Sequence, residues 1–75
     1  MTIDNNPTLD EDNRTIKAKS NINTDEETTL VVNGVLTYFN DDYSDITDDT
    51  ITLKDDTDFV LDWDNDVVQI MYTEA

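Results

Sequence analysis

The sequence predicts a mainly β fold: a small antiparallel sheet of about five or six short strands with one apolar face. Three observations support this prediction. Apolar and polar residues alternate with a period of two in several short stretches, as they do in half-buried strands. An Asn-Gly pair at residues 33–34 separates two apolar runs, which is the strongest short-range signal for a hairpin. No strand pattern alternates with a long helical pattern, so a parallel α/β fold is not expected.

Length and composition limit both the architecture and the chemistry. The 75 residues suffice for one domain with a small core. Because the sequence has no cysteine and no histidine, it lacks disulfides, thiolate and imidazole metal ligands, and the usual general base near neutral pH. The N-terminus lacks the basic and apolar regions of a signal peptide, and no run approaches the roughly 20 apolar residues of a membrane span. We therefore expect a cytoplasmic protein without membrane contacts.

The beginning of the chain is predicted to contain an arm followed by the first strand. Residues 1–13 are polar and include Asn-Pro, which indicates a flexible N-terminal arm. Residues 14–75 are predicted to form a single small acidic β domain. At the start of this domain, residues 14–22 alternate in polarity and predict a strand. Its inward-facing residues are Ile16, Ala18 and Ile22.

The Asn-Gly pair predicts a hairpin in the middle of the chain. Both residues tolerate the positive φ that a type I′ turn requires, which gives strands near residues 28–32 and 35–39. A short helix over residues 34–46 is the competing interpretation, because several apolar residues there also suit one helical face. Repeated Thr, Asn and Asp give that segment a poor helix propensity, so strands are preferred.

The C-terminal part is predicted to contain three further strands. Residues 50–54 alternate in polarity, and residues 58–63 alternate more clearly than any other stretch. Residues 67–73 alternate again, so a terminal hairpin is expected around a tight turn at Asn65 and Asp66. The inward-facing residues of these strands are Ile51, Leu53, Phe59, Leu61, Trp63, Val68, Ile70 and Tyr72.

Negative charge is the dominant feature of the composition. The protein has 4 Lys and Arg against 19 Asp and Glu, a net charge of −15. Such a field attracts basic surfaces and repels nucleic acid and anionic membranes. In residues 40–66, many aspartates are accompanied by a single cation, Lys54. These aspartates are the candidate partner-binding residues: Asp41, Asp42, Asp45, Asp48, Asp49, Asp55, Asp56, Asp58, Asp62, Asp64 and Asp66.

Some of these aspartates have a spacing that suggests what they bind. On a strand, residues i and i+2 face the same way about 6.6 Å apart. Asp58, Asp62 and Asp64 are predicted to form such a row. Neighbouring phosphates of a DNA strand lie very roughly 6–7 Å apart along its contour. Carboxylates on a twisted strand could therefore replace backbone phosphates in the groove of a protein that binds DNA through Lys and Arg.

Motifs for catalysis or dedicated metal binding are weak. Residues 62–66 supply oxygen ligands at the first, third and fifth positions of an EF-hand loop, but Val67 and Thr73 replace the required Gly and Glu. A catalytic carboxylate pair would need a cleft that separates two pKa values, and a sheet this small has little volume for one. We expect no enzymatic activity, no cofactor and no dedicated metal site.

The sequence resembles the small acidic DNA-mimic proteins that are made largely by bacteriophages. The likeness lies in its size, its net charge, its lack of Cys and His, and its aspartate-rich predicted strands and loops. This class includes anti-restriction proteins, uracil-DNA glycosylase inhibitors and some anti-CRISPR proteins, and its members share no alignable motif with this sequence. The resemblance implies inhibition of a DNA-handling enzyme, such as a nuclease, inside a host bacterium. The inhibitor would occlude the nucleic-acid channel and would not itself bind nucleic acid.

Other functions are also compatible with this sequence. An acidic module could bind a basic partner without imitating DNA, and clustered aspartates could bind divalent cations weakly. A disordered protein or an acidic surface that serves solubility would have a similar composition. Exposed sheet edges could in addition pair two copies of the protein into a homodimer.

Overall fold

Two four-stranded antiparallel sheets enclose one shared apolar core. The computed structural model describes residues 1–38, 43–53 and 61–75. In sequence order the strands are β1 (Thr2–Asp4), β2 (Thr8–Asp10), β3 (Thr15–Lys17), β4 (Thr29–Val32), β5 (Val35–Tyr38), β6 (Tyr43–Thr47), β7 (Thr50–Leu53) and β8 (Val68–Tyr72). The strand order is β1-β8-β4-β5 in the first sheet and β2-β3-β7-β6 in the second.

The predicted mainly β, antiparallel fold is confirmed, but the predicted number of strands is too low. The described residues form eight strands in two sheets, whereas the sequence predicts five or six strands in one sheet. A single sheet with one apolar face would expose alternate residues of β4, yet all four residues of this strand are buried. The core therefore lies between two sheets, and β4 is covered on both faces.

The alternative of a short helix over residues 34–46 is wrong for the part of this segment that the structure describes. Residue 34 lies in the turn, residues 35–38 lie in β5 and residues 43–46 lie in β6, while residues 39–42 are outside the described ranges. The tight turn before β5 returns the backbone directly along β4, and hydrogen bonding to β4 replaces any helical pairing. The described residues contain no helix at all, and hence none that could cross a membrane.

The predicted Asn-Gly hairpin is confirmed. Asn33 and Gly34 have φ values of 53° and 83°, which are the left-handed conformations that a type I′ turn needs. They connect β4 to β5, and Val32 pairs with Val35 on either side of the turn. The turn chemistry alone therefore fixes the register of this hairpin near its tip.

Residues 1–13 supply two strands where the sequence predicts an arm. β1 pairs with β8, and β2 pairs with β3, both in antiparallel register. Pro7, in the connection between β1 and β2, is buried. Each strand is only three residues long, which is too short for a period of two to be recognised in the sequence.

The predicted terminal hairpin between residues 58–63 and 67–73 is wrong. β8 occupies the predicted second strand, but its two neighbours are β1 and β4, so neither of its edges is open to residues 58–63. Residues 61–63 are not in a strand, and residues 58–60 lie outside the described ranges. Leu61 is nevertheless buried and the partly buried Trp63 packs against the core, so these two apolar residues face inward as predicted.

The core contains most of the residues predicted to face inward. Ile16, Ile51, Ile70 and Tyr72 have no solvent-exposed surface, and Leu30 from the central strand β4 joins them. Phe59, which was also predicted to face inward, lies outside the described ranges. The remaining buried members of the cluster are Ala18, Ile22, Val32, Leu53, Leu61 and Val68.

Residues 18–23 connect the two sheets through backbone hydrogen bonds. The Ala18 N–H donates to the carbonyl of Asp49 at 2.7 Å, in the turn between β6 and β7. The Asn23 N–H donates to the carbonyl of Thr73 at 2.8 Å, just beyond β8. The crossing segment is thus held by both sheets, which fixes the β6–β7 turn relative to the first sheet.

Candidate acidic interface

Six of the eleven candidate aspartates lie in the described residues. Asp45, Asp48, Asp62 and Asp64 are exposed, as a partner-binding role requires, whereas Asp49 and Asp66 are partly buried. The structure places them in two regions, the strand and turn around residues 45–49 and a loop at residues 62–66, named the acidic loop below. The other five candidates, which lie outside the described ranges, are Asp41, Asp42, Asp55, Asp56 and Asp58.

The turn between β6 and β7 presents the first group. Asp48 has a φ of 54°, a conformation that Asp and Asn tolerate better than most residues. The Asp45 carboxylate lies on the edge strand β6 and accepts a hydrogen bond from the Thr47 hydroxyl at 3.0 Å. Asp49 is the least accessible of the three, and its carboxylate lies 3.9 Å from the Lys17 ammonium.

The acidic loop is organised by the side chain of Asp62. One carboxylate oxygen accepts the backbone N–H groups of Asp64 and Asn65, each at 3.2 Å. The other oxygen accepts the Asn65 side-chain amide at 3.0 Å. These bonds close a turn, so the predicted strand row through Asp62 and Asp64 is wrong. The side chain of Asp62 competes with an extended backbone by satisfying the nearby N–H groups locally.

Asn33 attaches the acidic loop to the β4–β5 turn. Its amide nitrogen donates to one carboxylate oxygen of Asp66 at 3.0 Å, and its amide oxygen accepts the Val67 N–H at 2.9 Å. The other oxygen of Asp66 accepts the Asp62 N–H at 2.9 Å. Asp66 therefore links the hairpin to the start of its own loop, which explains its partial burial.

A second turn, which was not predicted from the sequence, has the same side-chain hydrogen bonding. Residues 10–13 and 62–65 both have the pattern Asp-x-Asp-Asn. In the first copy, Asp10 accepts the side-chain amide of Asn13 at 2.7 Å and the Asn13 N–H at 3.3 Å. The signal was present in the sequence, because Asp and Asn three residues apart are typical of turns closed by side chains. The two copies therefore present exposed third residues, Asp12 and Asp64, in similar local settings.

These hydrogen bonds lower the pKa values of two carboxyl groups. The Asn65 side-chain amide, with the N–H groups of the turn, lowers the pKa of Asp62 below its ordinary value of 3.8. In the first copy, the Asn13 amide lowers the pKa of Asp10 in the same way. Hydrogen bonds to the ionised form favour ionisation, so both groups keep their charge into more acidic solution than a free aspartate does.

Replacing Asn65 with alanine is expected to raise the pKa of Asp62 towards 3.8 and to leave the pKa of Asp10 unchanged. Asn13→Ala should do the reverse, so each variant is the control for the other. An NMR titration of the carboxyl carbons measures both values. Because both folded-state values are lowered, their stabilising contribution is complete above 3.8 and is lost as the pH falls through them. Equal shifts at both aspartates in either variant would contradict this assignment.

Asp4 is a buried carboxylate that the sequence analysis also did not identify. Only 6% of its surface is exposed. Its two oxygens accept the backbone N–H groups of Asn6 at 3.0 Å and of Lys19 at 2.9 Å. Asp4 therefore joins the end of β1 to the crossing segment, and it is a structural residue rather than a binding one. No local pattern reveals such a role, because Lys19 is distant in sequence.

A shallow cleft of about 480 Å³ lies beside Asp4. It contains two lysines and two aspartates, so its formal charges balance and it does not extend the acidic surface. In the part of the protein that the structure describes, no group of three or more Asp and Glu is arranged to hold a metal ion. The lining residues of the cleft are Asp4, Asn6, Thr8, Lys17, Ala18, Lys19 and Asp49.

No protein-family model matches the sequence, and neither a curated protein nor a solved structure is significantly similar to it. The likeness to DNA mimics remains one of size, charge and composition. A functional proposal must therefore rest on the exposed carboxylates and on the way the fold holds them.

Proposed function

We propose that this protein inhibits a DNA-handling enzyme by filling its nucleic-acid channel with carboxylates in place of DNA phosphates. The observation that carries this proposal is the exposure of Asp45, Asp48, Asp62 and Asp64 on an edge strand and on hydrogen-bonded turns of a folded sandwich. Enzymes hold DNA mainly through Lys and Arg contacts to phosphates, and these contacts carry little sequence information. A folded array of carboxylates can compete for the same contacts.

The distribution of charge supports a binding surface. Ten of the fourteen Asp and Glu residues in the described ranges are exposed, and only Asp4 is buried. The cations in these ranges are Arg14, Lys17 and Lys19, which lie close together in the sequence. The acidic loop itself contains three aspartates and no cation, so it has a negative field. That field would attract a basic channel and accelerate association at low salt.

The side-chain hydrogen bonds within the turns support tight binding. The Asp62 carboxylate accepts three N–H groups, and Asp45 accepts one hydroxyl. A carboxylate that is already held in one position loses less conformational entropy when a Lys or Arg contacts it. A carboxylate offers about four lone-pair sites, so Asp62 keeps one for such a contact, on the oxygen that accepts the Asn65 side-chain amide.

The class of target follows from the resemblance to phage-encoded DNA mimics. The partner would be a nuclease or another DNA-handling enzyme in the cytoplasm of a host bacterium, and the protein would act in counter-defence as an anti-restriction or anti-CRISPR factor. One observation favours a second candidate, an acidic module that binds a basic partner without DNA mimicry. The described candidate aspartates lie in two separate regions, the strand and turn around residues 45–49 and the acidic loop, and not in the strand row predicted from phosphate spacing.

Competition with DNA separates the two candidates. Immobilised protein is exposed to bacterial lysate at low salt, and bound proteins are released in parallel with duplex DNA and with poly-aspartate at equal charge concentration. DNA mimicry predicts that DNA releases a DNA-handling enzyme at lower charge concentration than poly-aspartate does. The purified enzyme should then lose DNA binding when an equimolar amount of the protein is added. Simultaneous binding of DNA and the protein to that enzyme would exclude mimicry and favour the second candidate.

Neutralising three exposed candidate aspartates should weaken binding to the enzyme identified in that experiment. The variant Asp45→Asn, Asp48→Asn, Asp64→Asn keeps side chains of the same shape, and Asn suits the positive φ at residue 48. We expect at least a tenfold loss of affinity, since each charged contact contributes about 1 kcal/mol or more. Isothermal titration calorimetry measures it.

The control for this variant removes the same charge elsewhere. Its three substitutions are Glu11→Gln, Asp25→Asn and Glu27→Gln, all at exposed positions. We expect a smaller loss of affinity from the control, because only the long-range field is reduced. Equal losses in the two variants would mean that net charge, and not the position of the candidate aspartates, determines binding.

A further inference from the structure

Asn33 combines a reactive sequence with a structural role. It is followed by Gly34, which has no side chain to hinder attack by its backbone nitrogen, and no described heavy atom beyond residues 33–35 lies within 4 Å of where a Cβ of Gly34 would be. Asn33 is exposed at the tip of the β4–β5 turn. At the same time, its side-chain amide contacts the acidic loop at Asp66 and accepts the Val67 N–H, while its backbone N–H donates to the Val67 carbonyl at 2.8 Å.

We propose that Asn33 is a site of spontaneous deamidation, and that its conversion loosens the acidic loop from the β4–β5 turn. In the first step the backbone nitrogen of Gly34 attacks the side-chain carbonyl carbon of Asn33. A new bond forms between these two atoms, the bond from that carbon to the amide nitrogen Nδ2 breaks, and ammonia leaves with the proton from the Gly34 nitrogen. Water then opens the resulting succinimide and gives either aspartate or isoaspartate at position 33. No oxidant, reductant or enzyme is needed.

The conversion changes the contact with the acidic loop in two ways. The amide donor that lies 3.0 Å from the Asp66 carboxylate is lost. A second carboxylate then stands in its place, and two like charges at that distance repel each other. The Val67 N–H keeps an acceptor, because a carboxylate can accept it as the amide oxygen did. The effect should therefore be greatest at Asp66 and at the Asp62 N–H that Asp66 accepts.

The folded state should slow this reaction. The two hydrogen bonds of the Asn33 amide must break before its carbonyl carbon can swing towards the Gly34 nitrogen. The contact with Asp66 is thus both the protecting interaction and the one that deamidation destroys. Loss of the amide is irreversible. The fraction of molecules with a loosened acidic loop would therefore increase with time. This inference does not depend on the identity of any partner.

Peptide mapping by mass spectrometry tests the site. The full-length protein is incubated at mildly alkaline pH, in buffer and in urea, and each asparagine-containing peptide is followed in time. In urea, Asn33 should deamidate several-fold faster than Asn13, Asn21, Asn23 and Asn65, none of which precedes a glycine. In buffer, Asn33 should deamidate several-fold faster in the Asp66→Ala variant than in the unaltered protein. Asp64→Ala, which removes an exposed carboxylate from the same loop, should not accelerate the reaction.

Two further measurements complete the test. Asp66→Asn retains one acceptor oxygen and should give an intermediate rate, which keeps the comparison valid if Asp66→Ala fails to fold. Asn33→Asp imitates the aspartate product, and hydrogen exchange should become several-fold faster at the Asp62 amide while β8 amides are unchanged. The proposal is overturned if Asn33 reacts no faster than the other asparagines in urea. It is also overturned if the Asp66 and Asp64 variants react alike, or if Asn33→Asp leaves exchange at Asp62 unchanged.

Discussion

Ile70→Ala is expected to lower the free energy of unfolding by about 3 kcal/mol, as truncation of a fully buried isoleucine usually does. Ile70 has no exposed surface and lies on β8, where it pairs with Leu30 on one side and Asp4 on the other. The loss combines the transfer of the removed carbons to water with the cavity left between the two sheets. Because small domains have only about 5–15 kcal/mol in total, the variant should melt well below the parent.

Met71→Ala is the matched control for this substitution. Met71 is the next residue on the same strand, points to the opposite face and is partly exposed. Its truncation should cost about 1 kcal/mol or less, because little buried volume is lost. Urea denaturation followed by tryptophan fluorescence measures both variants. Equal losses at the two positions would mean that the first sheet does not bury one face of β8 against the shared core.

Asp4→Ala is expected to lower the free energy of unfolding by about 3 kcal/mol, even though it removes a negative charge from a protein of net charge −15. The two N–H groups that Asp4 accepts, from Asn6 and Lys19, would lose their acceptor in a partly buried place. An unsatisfied buried donor costs about 1–3 kcal/mol, which outweighs the relief of long-range repulsion. Asp4→Asn keeps one acceptor oxygen and should fall between the parent and Asp4→Ala.

The sign of the effect distinguishes Asp4 from an exposed aspartate. Asp64→Ala removes the same charge from the surface and should change stability by no more than about 0.5 kcal/mol, if anything upward. Chemical denaturation of both variants under identical ionic strength gives the comparison. A stabilising effect of Asp4→Ala would show that this carboxylate acts only through its charge and that its two hydrogen bonds contribute little.

The parts of the fold that were predictable from the sequence are those set by local chemistry. The Asn33-Gly34 hairpin follows from the conformational preferences of two residues, and β7 and β8 follow from alternation over four or five positions. β1 and β2 were not predictable, because a strand of three residues is too short to show an alternating pattern. For β1, the pairing partner β8 also lies far away in the sequence. In the described part of the stretch around Trp63, Leu61 and Trp63 contact the core without being in a strand.

The candidate interface was predictable as composition but not as geometry. Exposure of Asp45, Asp48 and Asp64 agrees with a binding role, and that much follows from charge alone. The engagement of Asp66 by Asn33 depends on tertiary packing that brings the hairpin and the acidic loop together. The burial of Asp4 depends on a contact to Lys19 of the same kind. Sequence patterns report periodicity and turn chemistry, and neither of these identifies distant hydrogen-bond partners.

The pairing of β1 with β8 has a consequence for how the protein folds. Residue 2 pairs with residue 72, so almost the entire polypeptide must be closed into one loop before the first sheet is complete. Loop-closure entropy opposes such non-local pairing, and proteins dominated by it fold on the millisecond-to-second scale. The tight β4–β5 and β6–β7 hairpins can form early, whereas the strand that joins the two extremes of the sequence is added late. Refolding from urea should therefore be slow for a polypeptide of this length.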